Sequence, residues 1–282
     1  MAFRTALIQM CSSDDPAQNT AALRAALQEA ARAGAVLTLT PEVSNCVSTS
    51  SAHQRQVLHL EDDDPTLKAV QEEARSLGMW VLIGSLALHS GEADGRLANR
   101  SLLIDPEGRI RARYDKIHMF DVHVSETETY RESSGFRPGK QAVLARTPFG
   151  ILGLSICYDL RFPTLYRALA QAGAEVLTVP AAFSPVTGAA HWETLLRARA
   201  IETGCFVLAP AQTGRHAASE GRTRTTFGHS MAVAPWGEVL LDMGTEPGVG
   251  LVEIDLAQVS AARARVPSLS HDRSFHPPES AP

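Results

Sequence analysis

The chain has 282 residues, 44% of them hydrophobic, enough to bury one large core or two small ones, and its net charge of -5 leaves no basic stripe for nucleic acid. Four cysteines, at positions 11, 46, 157 and 205, make neither a C-x-x-C pair nor a small disulfide framework, so a reducing cytoplasm fits best. The amino terminus lacks the length of a signal h-region and no apolar run reaches membrane-spanning length, which argues against export and a membrane partner.

Strand and helix alternate from the start. Thr5 to Met10 reads as a strand; Asp15 then offers an N-cap, Pro16 the first helical position, Leu23 and Leu27 an apolar stripe, and Gly34 a stop. Val36 to Thr40 is a second strand. Asp64 and Pro65 open another helix, which runs to Leu77 with Gly78 as its cap, and Trp80 to Leu88 follows as a strand. Leu97 to Ile104 and Arg109 to Tyr114 flank Asp105-Pro106-Glu107-Gly108, whose composition suits a type I turn. Gln141 to Ala145 and Ile151 to Ile156 flank Pro148-Phe149-Gly150 in a similar way. After Cys157 a helix shows Leu165, Tyr166, Leu169 and Ala170 on one face and stops at Gly173, before the strand Glu175 to Val179. A helix from about Ala190 to Glu202 feeds the strand Phe206 to Ala209, and Met231 to Ala234 with Val239 to Asp242 frame a turn. The pattern predicts an α/β fold with mixed sheets, built as one domain over 1–266. Segments 121–140 and 213–226 read as long polar loops, functional or mobile. The Ser-, Pro- and His-rich tail, 267–282, is expected on the surface or against another subunit.

In open α/β sheets ligands bind outside the carboxyl ends of strands, so polar residues that terminate apolar runs are the ones to collect. Glu42 ends the run from Val36 to Pro41, Lys116 follows Arg111 to Asp115, and Cys157 ends Ile151 to Ile156 just before a helical pattern. Each has a plain alternative: the Glu and Lys can be first solvated residues, and free cysteine usually behaves as a small core hydrophobe. Together they supply a base, a cation and a thiol, a complete set for acyl transfer. Desolvation is expected to raise the Glu42 pKa so that it takes the thiol proton, while Lys116 and the following helix terminus lower that of Cys157. Cys157 then attacks an amide carbon, Lys116 and the Tyr158 N–H hold the oxyanion, and water hydrolyses the thioester.

Competing readings fare worse. His118, His123, His191 and His229 lack the spacing of a metal hydrolase, so no metal is expected. A Cys-His protease using His191 would leave Glu42 and Lys116 idle, and a non-catalytic binding protein has no need of all three groups.

The blocks Thr40-Pro41-Glu42, Tyr114-Asp115-Lys116-Ile117-His118 and Cys157-Tyr158-Asp159-Leu160-Arg161-Phe162-Pro163 resemble the nitrilase superfamily, carbon–nitrogen hydrolases with a Glu-Lys-Cys triad. So do the stretch from Ala190 to Glu202, Phe227-Gly228-His229-Ser230-Met231 and Pro235-Trp236-Gly237, and the likeness runs from about Arg4 to Asp255. It implies a four-layer α-β-β-α sandwich that forms a homodimer or higher homo-oligomer through its outer helices, and hydrolysis of a non-peptide C–N bond without a cofactor. It also implies a second glutamate, Glu132, orienting Lys116 and the water.

Within the superfamily the chain is most similar to the small amidases that include ω-amidase and deaminated glutathione amidase. These act on the terminal amide of a small carboxylated substrate, deaminated glutathione or an α-keto acid ω-amide, and the expected products are acid and ammonia, released through a cysteine thioester. Arg161 matches the carboxylate-binding position, where a bidentate cation is needed, and Phe183 and Thr187 match pocket positions. The segment 43–56 has no clear counterpart, and the loop 215–226 is unusually basic. Nitrile hydrolysis and N-carbamoyl amino acid cleavage are the alternatives, since the same triad serves either.

Overall fold

A computed structural model describes residues 2–124 and 129–276; the end of the expected tail, 277–282, lies outside the described residues. The first half carries β1 (Ala2–Gln9), α1 (Pro16–Arg32), β2 (Leu37–Leu39), α2 (Ser51–Val57), α3 (Pro65–Leu77), β3 (Trp80–His89), β4 (Leu97–Ile104), β5 (Ile110–Asp115), β6 (Asp121–His123) and β7 (Thr129–Arg131). The second half carries β8 (Leu144–Thr147), β9 (Gly150–Leu154), α4 (Pro163–Gln171), β10 (Val176–Thr178), α5 (Pro185–Thr203), β11 (Phe206–Ala209), β12 (Thr213–Arg215), β13 (Thr225–Phe227), β14 (Met231–Val233), β15 (Val239–Asp242), β16 (Gly248–Asp255) and α6 (Ala257–Arg265).

Two six-stranded sheets form, in the orders β16-β1-β2-β3-β4-β5 and β15-β14-β11-β10-β9-β8. Each has a parallel centre, β1/β2/β3 and β9/β10/β11, flanked by antiparallel strands. Side-chain alternation along the first sheet divides its two faces. Ala6, Ile8, Val81, Ile83, Leu102 and Ile104 pack with Leu23 and Leu27 of α1 and Leu67 and Val70 of α3. Leu7, Leu39, Leu82 and Leu103 belong instead to the cluster that reaches the second sheet and, beyond it, α4 and α5. The result is the four-layer α-β-β-α sandwich, and each fully buried Leu contributes roughly 2 kcal/mol to it.

Local chemistry sets the helix ends. The Asp15 carboxylate accepts from the N–H groups of Ala17 (2.9 Å) and Gln18 (3.3 Å), and that of Asp64 from Leu67 (2.8 Å). Gly78 closes α3 at φ 62. Three expectations shift. The helix expected from Ala190 starts at Pro185, because Ser184 caps it; Gly188, a poor helix former, is required since a Cβ there would meet the Phe227 ring at 2.3 Å. The expected strand from Gln141 begins only at Leu144. Cys157 opens not an α-helix but a short 3-10 turn, Cys157–Arg161, and α4 begins at Pro163.

The supposed loops hold structure as well. α2 lies in the segment without a counterpart, β6 and β7 form a hairpin in 121–140, and β12 pairs with β13 across 213–226. β16 and α6 had no prediction; Gly248 and Gly250 hide the strand pattern, and a Cβ at Gly250 would meet Leu241 and Met243 at 2.7 Å.

Candidate active site

Glu42, Lys116 and Cys157 stand together at the carboxyl ends of β2, β5 and β9. Glu42 follows β2 through Thr40 and Pro41, whose carbonyls approach β3 so closely that a Cβ at Gly84 would lie 1.9 Å from the Thr40 oxygen. Lys116 is the first residue after β5. Cys157 sits on a sharp elbow at φ 49, a conformation rare for a residue with a Cβ. Asp159 holds that elbow: its carboxylate accepts from the Ile156 N–H (2.8 Å), the Tyr114 hydroxyl (2.6 Å) and the His118 N–H (3.0 Å).

Lys116, 1% exposed, is ringed by carboxylates. Its Nζ donates to Glu42 Oε1 at 2.8 Å and lies 2.9 Å from both oxygens of Glu132. Asn99 Nδ2, on β4, donates to Glu42 Oε1 (2.9 Å) and more distantly to Glu132 Oε1 (3.3 Å), and the Phe120 N–H donates to Glu132 Oε2 (2.6 Å). The Cys157 thiol is hydrogen-bonded to Glu42, and the Ala182 N–H donates to its sulfur.

These contacts set the charges. Burial works against the Glu42 carboxylate, but the Lys116 ammonium, with help from Arg224, outweighs it and holds Glu42 below the usual carboxylate range. Burial likewise works against the Lys116 ammonium, yet Glu132 and Glu42 push its pKa up. Cys157 goes the other way: burial, then the Glu42 carboxylate, push the thiol well above its ordinary value despite Lys116. Both directions reverse the sequence-based expectation of a raised Glu42 and a lowered Cys157. One cation between two carboxylates favours a resting carboxylate, ammonium and neutral thiol, and the helix expected directly after Cys157 is instead a short 3-10 turn.

All four groups line one cavity of about 300 Å³, and Tyr158, Phe183 and Thr187 line it too. Thr187 is in the first turn of α5, and Phe183 packs on Trp192 with ring centroids 4.7 Å apart. Arg161 is not part of the lining. Its guanidinium lies over the Tyr158 and Phe183 rings, 5.9 and 5.6 Å from their centroids, and 3.3 Å from His191 Nδ1. Besides Lys116, the cations that line the cavity are Arg131, Arg222 and Arg224, on the two hairpins read as loops, and Ser48, Thr49, Ser51 and Gln54 add a neutral polar wall. Sequence reasoning missed these residues and Asn99, which does not stand out in its strand because Arg100 and Ser101 follow it. His191 also lies off the lining, which leaves a Cys-His pair without support. Among the described residues no group of three or more His, Cys, Asp or Glu could hold a metal ion, and no helix is long and apolar enough to cross a membrane.

Residues 4–264 match the family model described as carbon-nitrogen hydrolase. Over 269 residues the chain is 42% identical to a deaminated glutathione amidase of Yersinia enterocolitica, covering 95% of this chain and 92% of that one. The C. elegans NitFhit protein superposes with a TM-score of 0.88 at 36% identity, across 96% of this chain and 65% of that chain. A variant of the amidase from Nesterenkonia sp. AN1, solved after Michael addition of acrylamide at its active-site cysteine, gives 0.76 at 26% identity over 94% of this chain and 98% of that one. With the match extending along both sheets and the helices that cover them, the chain belongs to the carbon–nitrogen hydrolase family and is a hydrolase of a C–N bond.

Proposed function

We propose that the protein hydrolyses a small carboxylated amide through a thioester on Cys157, with deaminated glutathione, the substrate in the name of its Yersinia relative, as the best candidate. The observation that carries this reading is the meeting of Glu42, Lys116, Glu132 and Cys157 in one cavity. As the sulfur attacks the carbonyl carbon, Glu42 takes the thiol proton. A single Lys116 proton shared by both Glu132 oxygens leaves another for the oxyanion, which the Tyr158 N–H completes. Glu42 passes its proton to the nitrogen, the C–N bond breaks and the amine departs. Water, deprotonated by Glu42 and oriented with Glu132, then cleaves the thioester, releasing the acid and restoring the thiol. An α-keto acid ω-amide would yield ammonia, but the expectation of ammonia from deaminated glutathione is corrected, because its amides are both secondary and cleavage releases a larger amine.

A nitrile or an N-carbamoyl amino acid could use the same groups, and the three arginines on the cavity favour the carboxylated substrates over a simple nitrile. Product release from deaminated glutathione, α-ketoglutaramate, a simple nitrile and an N-carbamoyl amino acid tests the reading. Cys157→Ala is expected to abolish turnover, and Glu42→Gln to lower it by about 10² to 10⁴-fold. Turnover by Cys157→Ala equal to the unsubstituted protein would sink the mechanism.

The same reading takes 1–266 as one catalytic unit, since a continuous buried cluster runs from Phe3 to Val259, with 267–282 as its tail. The tail's start is tied to α4 by Arg167, which donates to the Ser268 carbonyl (2.9 Å), and by Gln171, which donates to that of Leu269 (3.0 Å). Four free cysteines support a cytoplasmic setting. Exposed Val186 and Ile201 on α5, with Trp236 and Leu240 near β15, support a homo-oligomer, which a one-chain mass in sedimentation would rule out.

A further inference from the structure

Asn99, 1% exposed on β4, holds two members of the site at once. Its main-chain carbonyl accepts from the Lys116 N–H (3.0 Å), and its Nδ2 donates to Glu42 Oε1 (2.9 Å) and reaches Glu132 Oε1 (3.3 Å). Its Oδ1 is buried with no hydrogen-bond partner. A buried acceptor left unpaired lowers stability, yet turning the amide over would set that oxygen against two carboxylate oxygens. The carboxylates therefore fix the orientation of the amide, and the orphaned oxygen is the consequence of placing an N–H at Glu42.

That N–H lands on a particular oxygen. Lys116 Nζ donates to the same Glu42 Oε1 at 2.8 Å, so this atom already accepts two hydrogen bonds, as many as its lone pairs allow. The proton taken from Cys157 is left the other oxygen, Oε2. When the sulfur attacks the carbonyl carbon, the S–H bond breaks, the proton goes to Oε2 and the carbonyl electron pair moves to its oxygen. As the C–N bond breaks, Oε2 passes that proton to the departing nitrogen. Between the two transfers Glu42 is neutral, and the Lys116 ammonium, still 2.9 Å from both Glu132 oxygens, has lost its charge attraction for it. An amide N–H donates to a neutral carboxyl oxygen too, so the Asn99 bond outlasts the ion pair.

We propose that Asn99 is a positioning residue for Glu42, its Nδ2 occupying Oε1 through both protonation states so that Oε2 alone takes and returns the proton. The role rests on the amidase reading and adds to it a residue that acts through Glu42. The other charged or titratable groups around Glu42 are Lys116 after β5, Glu132 after β7, Cys157 after β9 and Arg224 before β13, and substituting Asn99 leaves all four in place.

Asn99→Leu and Asn99→Ala test the role, since both keep the main-chain bond to Lys116 and the leucine fills the space that the amide leaves. With deaminated glutathione and α-ketoglutaramate as substrates, both variants are expected to lower kcat by about tenfold or more with KM little changed. Each also removes a donor from the ionised carboxylate, so the acid limb of kcat/KM is expected to move upward by about one pH unit, as loss of one charged hydrogen bond requires. Asn99→Leu removes the orphaned Oδ1 as well, so its urea midpoint is expected to hold. An unmoved acid limb, an unchanged kcat, or a kcat loss matched by an equal loss of folded protein overturns the role and leaves the amidase reading standing. Hydrolysis of neither substrate by the unsubstituted protein overturns that reading, and the role with it.

Discussion

Lys116 keeps its charge in a place where an isolated ammonium would lose it. Two carboxylates within 2.9 Å make that possible, and removing one partner of such a buried pair typically costs about 3–5 kcal/mol. The same pairing decides how Cys157 starts each turnover, since an ionised Glu42 beside the sulfur raises the thiol pKa and waits as its base. The kinetic consequence is a broad pH plateau. With Glu42 held below its ordinary 4.5 and Cys157 well above its ordinary 9.0, kcat/KM is expected to stay flat between those values, falling on the acid side as Glu42 protonates and on the alkaline side as the thiol loses the proton the amine needs. A limb near neutral pH in the profile would contradict this proton inventory. Glu42 and Cys157 were legible in the sequence because each ends an apolar run at a strand end, and Lys116 because it ends a strand inside a block that resembles the family's. Asn99 was not, since it sits inside β4, and the direction of Arg161 depends on the backbone turning through positive φ at Cys157, which residue spacing does not encode.

Helices with strong caps were readable nearly to the residue, as α3 between Asp64 and Gly78 shows. Elements whose stability comes from distant partners were not: α2 has no buried residue of its own, and β12 and β13 are three-residue strands. Their hairpin is secured by His216, whose ring nitrogens lie 2.7 Å from the Ser12 carbonyl and 2.8 Å from Thr226 Oγ1. Burial lowers the His216 pKa from 6.5 to about 4, so the folded protein holds the ring neutral where the unfolded chain would protonate it. Its contribution is complete above the unfolded value of 6.5 and is lost as pH falls toward 4. Going from about pH 7 to about pH 5 is expected to cost about 2 kcal/mol of unfolding free energy through this group. Urea titration at both pH values reads it against His216→Asn; an equal pH dependence in the variant would remove the assignment.

At the scale of the whole molecule, alternation of strand and helix predicted an α/β fold, and the resemblance of its motifs gave the layering. What periodicity could not give is how two sheets stack so that residues from 43–54, 129–136 and 222–224 meet around one cavity, because those contacts lie far apart in the chain, as Thr49 with Arg222 shows. Catalysis through Cys157 requires a covalent acyl-enzyme, and the mass of the intact protein reports it. Quenching the protein during turnover of a slow amide and measuring that mass is expected to show an increase equal to the acyl group, mapping to Cys157 and absent from Cys157→Ala. An acyl adduct on another residue, or undiminished turnover by Cys157→Ala, would contradict it.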